Sequence, residues 1–512
     1  MNNRRPATGV PQKRGYCRAG EVSLLEFHCL AIHFTLRTNM ERSSAFLRTI
    51  LCLTFCFLPL RSLAANPKLL VTHIKIFAMA AGLEEPPPTP IDGYILVASD
   101  GTIAQIHAGD PPTNLSPTQT WDGHGAWVIP GFISAHSHLW QAAYRGLAAN
   151  ETLPGWIDDL YGKHAIHNSP DDFYWFTLYG CLDHLQHGIT AAYNFNYGGT
   201  GWQNQGDAFD ESEFRAESES GLRFVHGYQP DTMKPGEPNP DATIQAARER
   251  LKSFLDWTQA QPHNPAFLSV MINGSTAFNN TVQQAVMEAA LGKEFHLGNQ
   301  THFVEAPEDQ GEQRSKFRWM LDSGLVNDQL IFGHFIHTDE FILAETAKAH
   351  ASMSWNPLSN GRLASGVADI PKYLRLGIRV GMGVDGEASA DLADPFENMR
   401  TGLYAIHDKY EDATVMSPYQ VLWLHTMGSA DVLGVKDQLG SLEPGKLADF
   451  VVVDPARLGH VVEDPYSNLV LVAAEPDIER VYVGGELIVD HDRLVHADLD
   501  KVREEVNRRL TP

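Results

Sequence analysis

Val128-Ile-Pro-Gly-Phe-Ile-Ser-Ala-His-Ser-His138 is the stretch on which the reading of this chain turns. Its apolar run reads as a buried strand over Val128–Ala135 that ends on histidine. Residues two apart on a strand share a face, so His136 and His138 present two imidazoles to one point. Taken alone, a His-x-His pair is weak evidence, because most such pairs sit on surfaces or in satisfied structure. Its weight depends on what the rest of the chain brings to the same place.

Working outward, seven further β-rich runs alternate with helical stretches. Thr190–Phe195 follows a helical segment from Asp171 to His187, and Arg223–His226 and Phe267–Ile272 come next. Gln300–Glu305 follows an Ala-rich helix that starts near Thr281. Leu330–His334, Ala351–Trp355 and Ile378–Val384 complete the set. Eight strands alternating with helices predict an α/β fold, a parallel (β/α)8 TIM-like barrel over residues 128–439. Such a barrel builds its active site at the C-terminal ends of its strands. There the sequence places His136 and His138 on strand one, His302 on strand five, His334 on strand six and Asp385 after strand eight. Neutral imidazoles with a carboxylate suit one divalent metal, Zn²⁺ first and Fe²⁺ second. Glu305, three residues after His302, suits a carboxylate that moves protons beside that metal. Each residue also has a plainer reading. A lone buried histidine is commonly a hydrogen-bonded core residue, Asp385 before Gly386 can open a turn, and Glu305 can be a solvated loop acid. The five groups converge only if the barrel forms.

Two β-rich pieces flank the barrel. The first includes Tyr94-Ile-Leu-Val-Ala-Ser-Asp-Gly-Thr-Ile-Ala-Gln-Ile, a hairpin turning at Asp100-Gly101. The second includes Leu447-Ala-Asp-Phe-Val-Val-Val-Asp and Val481-Tyr-Val-Gly-Gly-Glu-Leu-Ile-Val. Neither makes a good core alone. Residues 66–127 and 440–500 are therefore expected to form one small composite β-sandwich.

The same motifs carry a resemblance. His136-Ser-His138 after Val-Ile-Pro-Gly-Phe-Ile, His302-x-x-Glu305, Gly333-His334, Asn356-Pro-Leu-Ser-Asn360, Gly383-Val-Asp385-Gly and Gly440-Ser-Leu-Glu-Pro-Gly-Lys-Leu-Ala-Asp449 together resemble the amidohydrolase superfamily. The similarity spans nearly all of residues 66–500. The branch most resembled is that of mononuclear aminohydrolases and chlorohydrolases of N-heterocycles, guanine deaminase- and cytosine deaminase-like. The resemblance implies that His136, His138, His302 and Asp385 hold a single metal, with Asp385 also serving in catalysis. It implies that Glu305 is the proton shuttle and that His334 polarises the attacked group. Two-metal members bridge their ions with a carboxylated lysine on strand four, and residues 265–274 contain no lysine. His138-Leu-Trp140-Gln141 matches a His-x-x-Gln pattern in which the amide reads the heterocycle. Gln141 is equally well read as a polar residue at a helix start with no substrate contact. Arg145-Gly146 resembles the Arg-Gly after the metal pair in related deaminases. Trp140, Gln141, Arg145 and Asn194, which ends strand two, are the expected substrate contacts. Trp156, Trp202 and Trp355 are candidate aromatic walls or plain core, and His226 is a candidate pocket residue.

The 512 residues carry 39 basic and 63 acidic groups, a formal net charge of -24, with 43% hydrophobic and 20% charged residues. That composition excludes a disordered or fibrous chain. The acidity argues against nucleic-acid binding, which needs clustered Lys and Arg. Residues 1–64 are exceptional, with nine basic and three acidic groups. From Met40 a basic start leads into an apolar run over Thr49–Leu60, and Ser62 and Ala64 suit a cleavage site. Residues 1–64 are expected to be a leader, with a secretory signal at 40–64 that directs export to the periplasm. The remaining 448 residues then carry a charge of -30 and one cysteine, Cys181. No stable membrane partner is expected once the signal is removed, and a homo-oligomer is left open.

The expected function is hydrolysis of a C–N bond in a small N-heterocycle or cyclic amidine, by deamination. The alternative is an amide, lactam or peptide hydrolase. A noncatalytic solute or metal binder ranks third, because binding alone needs neither Glu305 nor His334.

Overall fold

The computed structural model describes residues 66–196, 207–460 and 464–511. The expected leader and Trp202 lie outside the described residues.

Eight parallel strands build the barrel. They are β1 (Phe132–His138), β2 (Ile189–Asn194), β3 (Arg223–Tyr228), β4 (Phe267–Gly274), β5 (Asn299–Phe303), β6 (Leu330–His334), β7 (Ser352–Trp355) and β8 (Arg379–Met382). Each pairs in parallel with the next. The two-residue strand Asp385–Gly386 pairs in parallel with Ser137–His138 and returns the sheet to β1. Closure therefore brings Asp385 beside the His-x-His pair. β1, β2, β3, β5 and β6 are buried at every residue. Helices cover the outer face and side chains fill the inner one, which explains their near-continuous apolar runs.

The helices start where local chemistry tells them to. Ser169 and Asp172 form a reciprocal capping box at the head of Pro170–Gln186, with Pro170 in the first turn. Asp394 caps Pro395–Tyr410 by accepting from the Phe396 and Glu397 backbone amides.

The run read as one strand from Val128 is two. Trp127–Pro130 pairs antiparallel with Phe450–Val453 in the flanking sheet, and the barrel begins only at Phe132. Pro130 has no N–H to offer a ladder. Gly131 donates to the Asp449 carbonyl at 3.0 Å. A side chain at Gly131 would collide with Thr190. The chain crosses between sheets at this point.

Both flanks contribute to that second sheet, which has nine strands. Its N-terminal strands include Leu69–Ile76 and Ile91–Val97, and its C-terminal ones Phe450–Val453 and Ile478–Val483. It closes over a core that includes Val71, Ile95, Val128, Phe450 and Tyr482. A helix over Leu499–Leu510 follows, mostly beyond the expected boundary at 500. Arg509 pins it to the head of the Pro170–Gln186 helix through Asp171 at 2.6 Å and Asp172 at 2.7 Å. No helix among the described residues is long and apolar enough to cross a membrane.

Candidate metal centre and substrate pocket

The five expected metal-site groups meet at the C-terminal end of the barrel. His136 Nε2 and His138 Nε2 lie 3.4 and 3.3 Å from Asp385 Oδ1. His138 Nε2 is 3.2 Å from His302 Nε2. His136, His302, His334 and Asp385 each offer an atom within 4.8 Å of the others, and His138 adds a fifth group. All are buried.

Hydrogen bonds behind the ring set the tautomers. Gln300 donates its amide N–H to the Ala135 carbonyl at 2.9 Å, which turns Oε1 towards His136 Nδ1. His138 Nδ1 donates to the Phe195 carbonyl at 2.6 Å. Both imidazoles thus carry their proton on Nδ1 and leave Nε2 with a lone pair facing Asp385. The buried Nε2 of His136 has no hydrogen-bond partner. An orphaned lone pair among imidazoles and a carboxylate is what a divalent ion satisfies, so the donor set fits one. His334 is the reverse case. Asn360 Nδ2 donates to its Nδ1 at 2.7 Å, and Asn356 Nδ2 also faces the ring. The proton then sits on Nε2, which points to Glu305 Oε2 at 3.5 Å and Asp385 Oδ2 at 3.9 Å. This tautomer makes His334 a donor rather than a fourth imidazole ligand.

The electrostatics separate the two carboxylates. Burial and the neighbouring Asp385 charge raise the Glu305 pKa well above the usual range. Burial also pushes Asp385 up, but the surrounding imidazoles of His136, His138 and His334 outweigh it and hold Asp385 well below its ordinary value. Burial lowers His138. Burial, together with His136 and His138, lowers His302 well below its ordinary value, and burial pushes His334 down to about 3. Burial thus favours the neutral forms of His138, His302 and His334 and the protonated form of Glu305, while Asp385 favours its ionised form. His334 and Asp385 both adopt positive φ, 65° and 63°. Non-glycine residues tolerate that strain mainly where surrounding structure imposes it.

A cavity of about 1000 Å³ opens above these groups, with His138, His302, Glu305, His334, Asp385 and Ser389 among the residues that line it. Trp156, Tyr161, Phe278 and Leu363 supply apolar wall, and Gln229, Asp231, Lys234 and Asn280 supply polar groups.

The structure places the four expected substrate contacts elsewhere; among the described residues none of them lines this cavity. Trp140 is fully buried and stacks on Phe173 at 4.7 Å. Gln141 is buried, donates to Tyr161 Oη at 2.9 Å and packs its Oε1 against Gly386. Asn194 accepts from the Leu139 backbone and donates to Glu213 and Glu217 at 2.9 and 2.7 Å. Arg145 pairs with Glu387 and Asp183 and lies over the Tyr179 ring. The reason is common to them. They sit on β2 or on the segment just after β1, and their side chains contact other protein groups instead of the cavity. His226 is likewise buried away from the cavity, 2.8 Å from Glu217, and Trp355 is core, whereas Trp156 does line the cavity.

Gln300, Ser365 and Ser389 carry no signal in the sequence, whereas Asn356 and Asn360 bound the motif Asn356-Pro-Leu-Ser-Asn360. Gln300 precedes His302 by two, which puts it on the same face of β5. Asn356 and Asn360 stand four apart at the start of Pro357–Arg362, on one face of that helix. That spacing was legible, but not what the pair would face. Ser365 Oγ, 3.5 Å from Glu305 Oε1, and Ser389 Oγ, 3.2 Å from Asp385 Oδ2, come from loops.

Comparison with known proteins agrees with this geometry. A model of the amidohydrolase family matches residues 127–488. The chain is similar to a 5-methylthioadenosine/S-adenosylhomocysteine deaminase of Bacillus cereus (strain AH820), 27% identical over 420 residues, covering 81% of this chain and 94% of that protein. Its fold is similar to that of a zinc-bound adenosine deaminase from Xanthomonas campestris, with a TM-score of 0.74 and 21% identity over 87% of this chain and 98% of that one. It is also similar to a guanine-bound guanine deaminase from C. acetobutylicum, with a TM-score of 0.70 and 19% identity over 83% of this chain and 100% of that one.

Proposed function

The chain belongs to the amidohydrolase family, and on that premise we propose that it is a metal-dependent hydrolase that deaminates a small N-heterocycle or cyclic amidine. One observation carries the reading. His136, His138, His302 and Asp385 converge beside Glu305 and an Nε2–H of His334, and all of these but His136 line one cavity.

His136, His138, His302 and Asp385 would hold one divalent ion. When bound, the ion supplies Lewis acidity, which brings the pKa of water from 15.7 towards roughly 7. Asp385 Oδ1 faces the imidazoles, so Oδ2 is the oxygen left to accept a proton from the attacking water. His334 Nε2 donates towards the substituent of the attacked carbon, where charge develops. Glu305 delivers its proton to the departing nitrogen as the C–N bond breaks, and the proton taken up by Asp385 then passes to Glu305, which restores both carboxyl groups. The products are ammonia and the oxo form of the heterocycle. Zn²⁺ is the metal we propose. The two-nitrogen tautomer pattern suits it, and a structure similar in fold holds zinc. One ion rather than two is supported by β4, Phe-Leu-Ser-Val-Met-Ile-Asn-Gly, which has no lysine to bridge a pair. The relatives' names, deaminases of adenine and guanine compounds, support a purine-like ring as the first class to test. We also propose export to the periplasm, supported by the charge and apolar run of residues 40–64.

The test is zinc-loaded protein against a library of N-heterocycles with ammonia detection. Ammonia release from at least one ring amine is expected. Amine release from peptides or lactams with none from ring amines would overturn the reading.

A further inference from the structure

Arg145 does not line the cavity, yet it lies at one end of a chain of contacts that reaches the metal centre. Its Nε donates to Glu387 Oε2 at 2.6 Å, and Nη2 bonds both Glu387 and Asp183, the latter at 2.7 Å. Its Nη1 donates to Tyr179 Oη at 3.1 Å. Glu387 and Asp183 are 1% and 4% exposed. Glu387 stands two residues after Asp385, on the segment that closes the barrel against β1.

That segment is held at nearly every residue. A side chain at Gly386 would collide with the Gln141 amide. The Ala388 carbonyl accepts from Trp156 Nε1 at 2.8 Å. Ser389 Oγ donates to the Gly386 carbonyl at 2.9 Å. Asp391 accepts from the Gly146 backbone at 2.9 Å and from Arg362 Nε at 3.1 Å. Asp385 and Asp391 both take positive φ, 63° and 64°, so the segment does not hold this shape by its own preference. On another side of Glu387 a buried histidine stands near the His-x-His pair, with no hydrogen bond to Glu387 Oε1. Glu387 Oε1 is 3.7 Å from His184, whose Nε2 is 3.0 Å from Ser137 Oγ, between His136 and His138.

We propose that Arg145 is a positioning residue: acting through Glu387, it fixes the segment Asp385–Asp391 and with it the direction of the Asp385 carboxylate. The residues Gln141, Arg145 and Gly146 that follow the His-x-His pair are then a cradle for the metal-bearing loop, not a surface for the substrate. A buried ion pair contributes little net stability compared with apolar packing. Its distinct effect is geometric, because Nε and Nη2 converge on one oxygen, Glu387 Oε2, and tie that carboxylate to the rigid guanidinium plane. The inference rests on the proposal that Asp385 is a metal ligand.

The experiment uses the Co²⁺-substituted enzyme, read by visible absorption, Co²⁺ dissociation rate, KM and kcat. Three variants are compared with the wild type: Arg145→Met, Arg145→Lys and Glu387→Gln. Loss of a partner behind a ligand changes metal affinity or activity by roughly 10–100-fold. Arg145→Met and Glu387→Gln are each expected to alter the cobalt bands, speed Co²⁺ loss about 10-fold or more and lower kcat within that range, with KM nearly constant. Arg145→Lys is expected to recover part of the loss. An unchanged cobalt spectrum with a raised KM in Arg145→Met would make Arg145 a substrate contact and overturn the proposal. Unchanged spectrum and kinetics in Glu387→Gln would overturn it too, and that near-isosteric variant carries the test if Arg145→Met does not fold. A wild type that takes up no Co²⁺ would instead overturn the metal-centre reading itself, so the two failures are distinguishable.

Discussion

His334 Nε2 lies 3.5 Å from Glu305 Oε2, and the Asn360 amide, which donates to Nδ1 behind the ring, turns Nε2 into a donor. The pair divides the labour of the site. Burial favours the protonated form of Glu305, while His334 is kept neutral with its Nε2 towards Glu305 and Asp385.

Glu305→Gln should therefore keep the metal and lose turnover. An amide of the same size has no acidic proton to deliver, and general acid–base groups contribute roughly 10²–10⁴-fold. Elemental analysis beside steady-state kinetics checks this. Full activity in the variant would remove Glu305 from the mechanism.

The ligand assignment is checked by metal content. His136→Ala removes a nitrogen whose lone pair nothing else satisfies, and affinity should fall by at least roughly 100-fold, the upper end for losing an outer partner. Gln300→Ala leaves the ligand but not the group that orients it, so a loss of about 10–100-fold is expected. Dialysed protein measured by plasma mass spectrometry reads both.

Stability should depend on pH through His187. Burial works against its charged form, but Asp183 at 3.3 Å outweighs it and raises the pKa from 6.5 to about 10. Below pH 6.5 both folded and unfolded chains hold the proton, and the stabilisation is complete. Between pH 6.5 and about 10 only the folded state holds it, so stability falls as pH rises, by up to about 1.4 kcal/mol per unit. Urea denaturation at pH 6 and pH 9 should show that loss, and His187→Gln should flatten it. An equal slope in the variant would assign the dependence to other groups.

Asn194→Ala separates a structural role from substrate binding. Its amide donates to two buried carboxylates, Glu213 and Glu217. Burial raises the Glu213 pKa well above its ordinary value. Loss of that donor should lower stability by about 1–3 kcal/mol and leave KM unchanged. A raised KM in a chain of normal stability would restore Asn194 as a substrate contact.

The leader is checked by N-terminal sequencing of exported protein. Cleavage after Ala64 gives a chain starting at Ala65. A mature chain that begins upstream of Met40 would reject both the signal and Met40 as the start.

The barrel was legible because a parallel strand buried on both faces must be apolar along its length, and a strand-end histidine interrupts that run visibly. His136, His138, His302, His334 and Asp385 all stood out in this way. The first boundary was misplaced because apolar residues look alike in either sheet. Trp127–Pro130 and Phe132–Ala135 differ only in which partner strand takes their hydrogen bonds, and Phe450, more than 300 residues away, decides that.

By itself, the sequence determined the kind of residues at each strand end, hence which imidazoles and carboxylates meet there. Only the tertiary structure decided where the residues after His138 face, because a segment that leaves a barrel strand can turn over the mouth or beneath it with the same amino acids. Here Trp140, Gln141 and Arg145 stay out of the cavity lining, and the reason lies in distant partners: Phe173 for the indole, Tyr161 for the amide, Glu387 and Asp183 for the guanidinium. Spacing along a chain encodes shared faces, but which neighbour meets a face is set by closure of the ring.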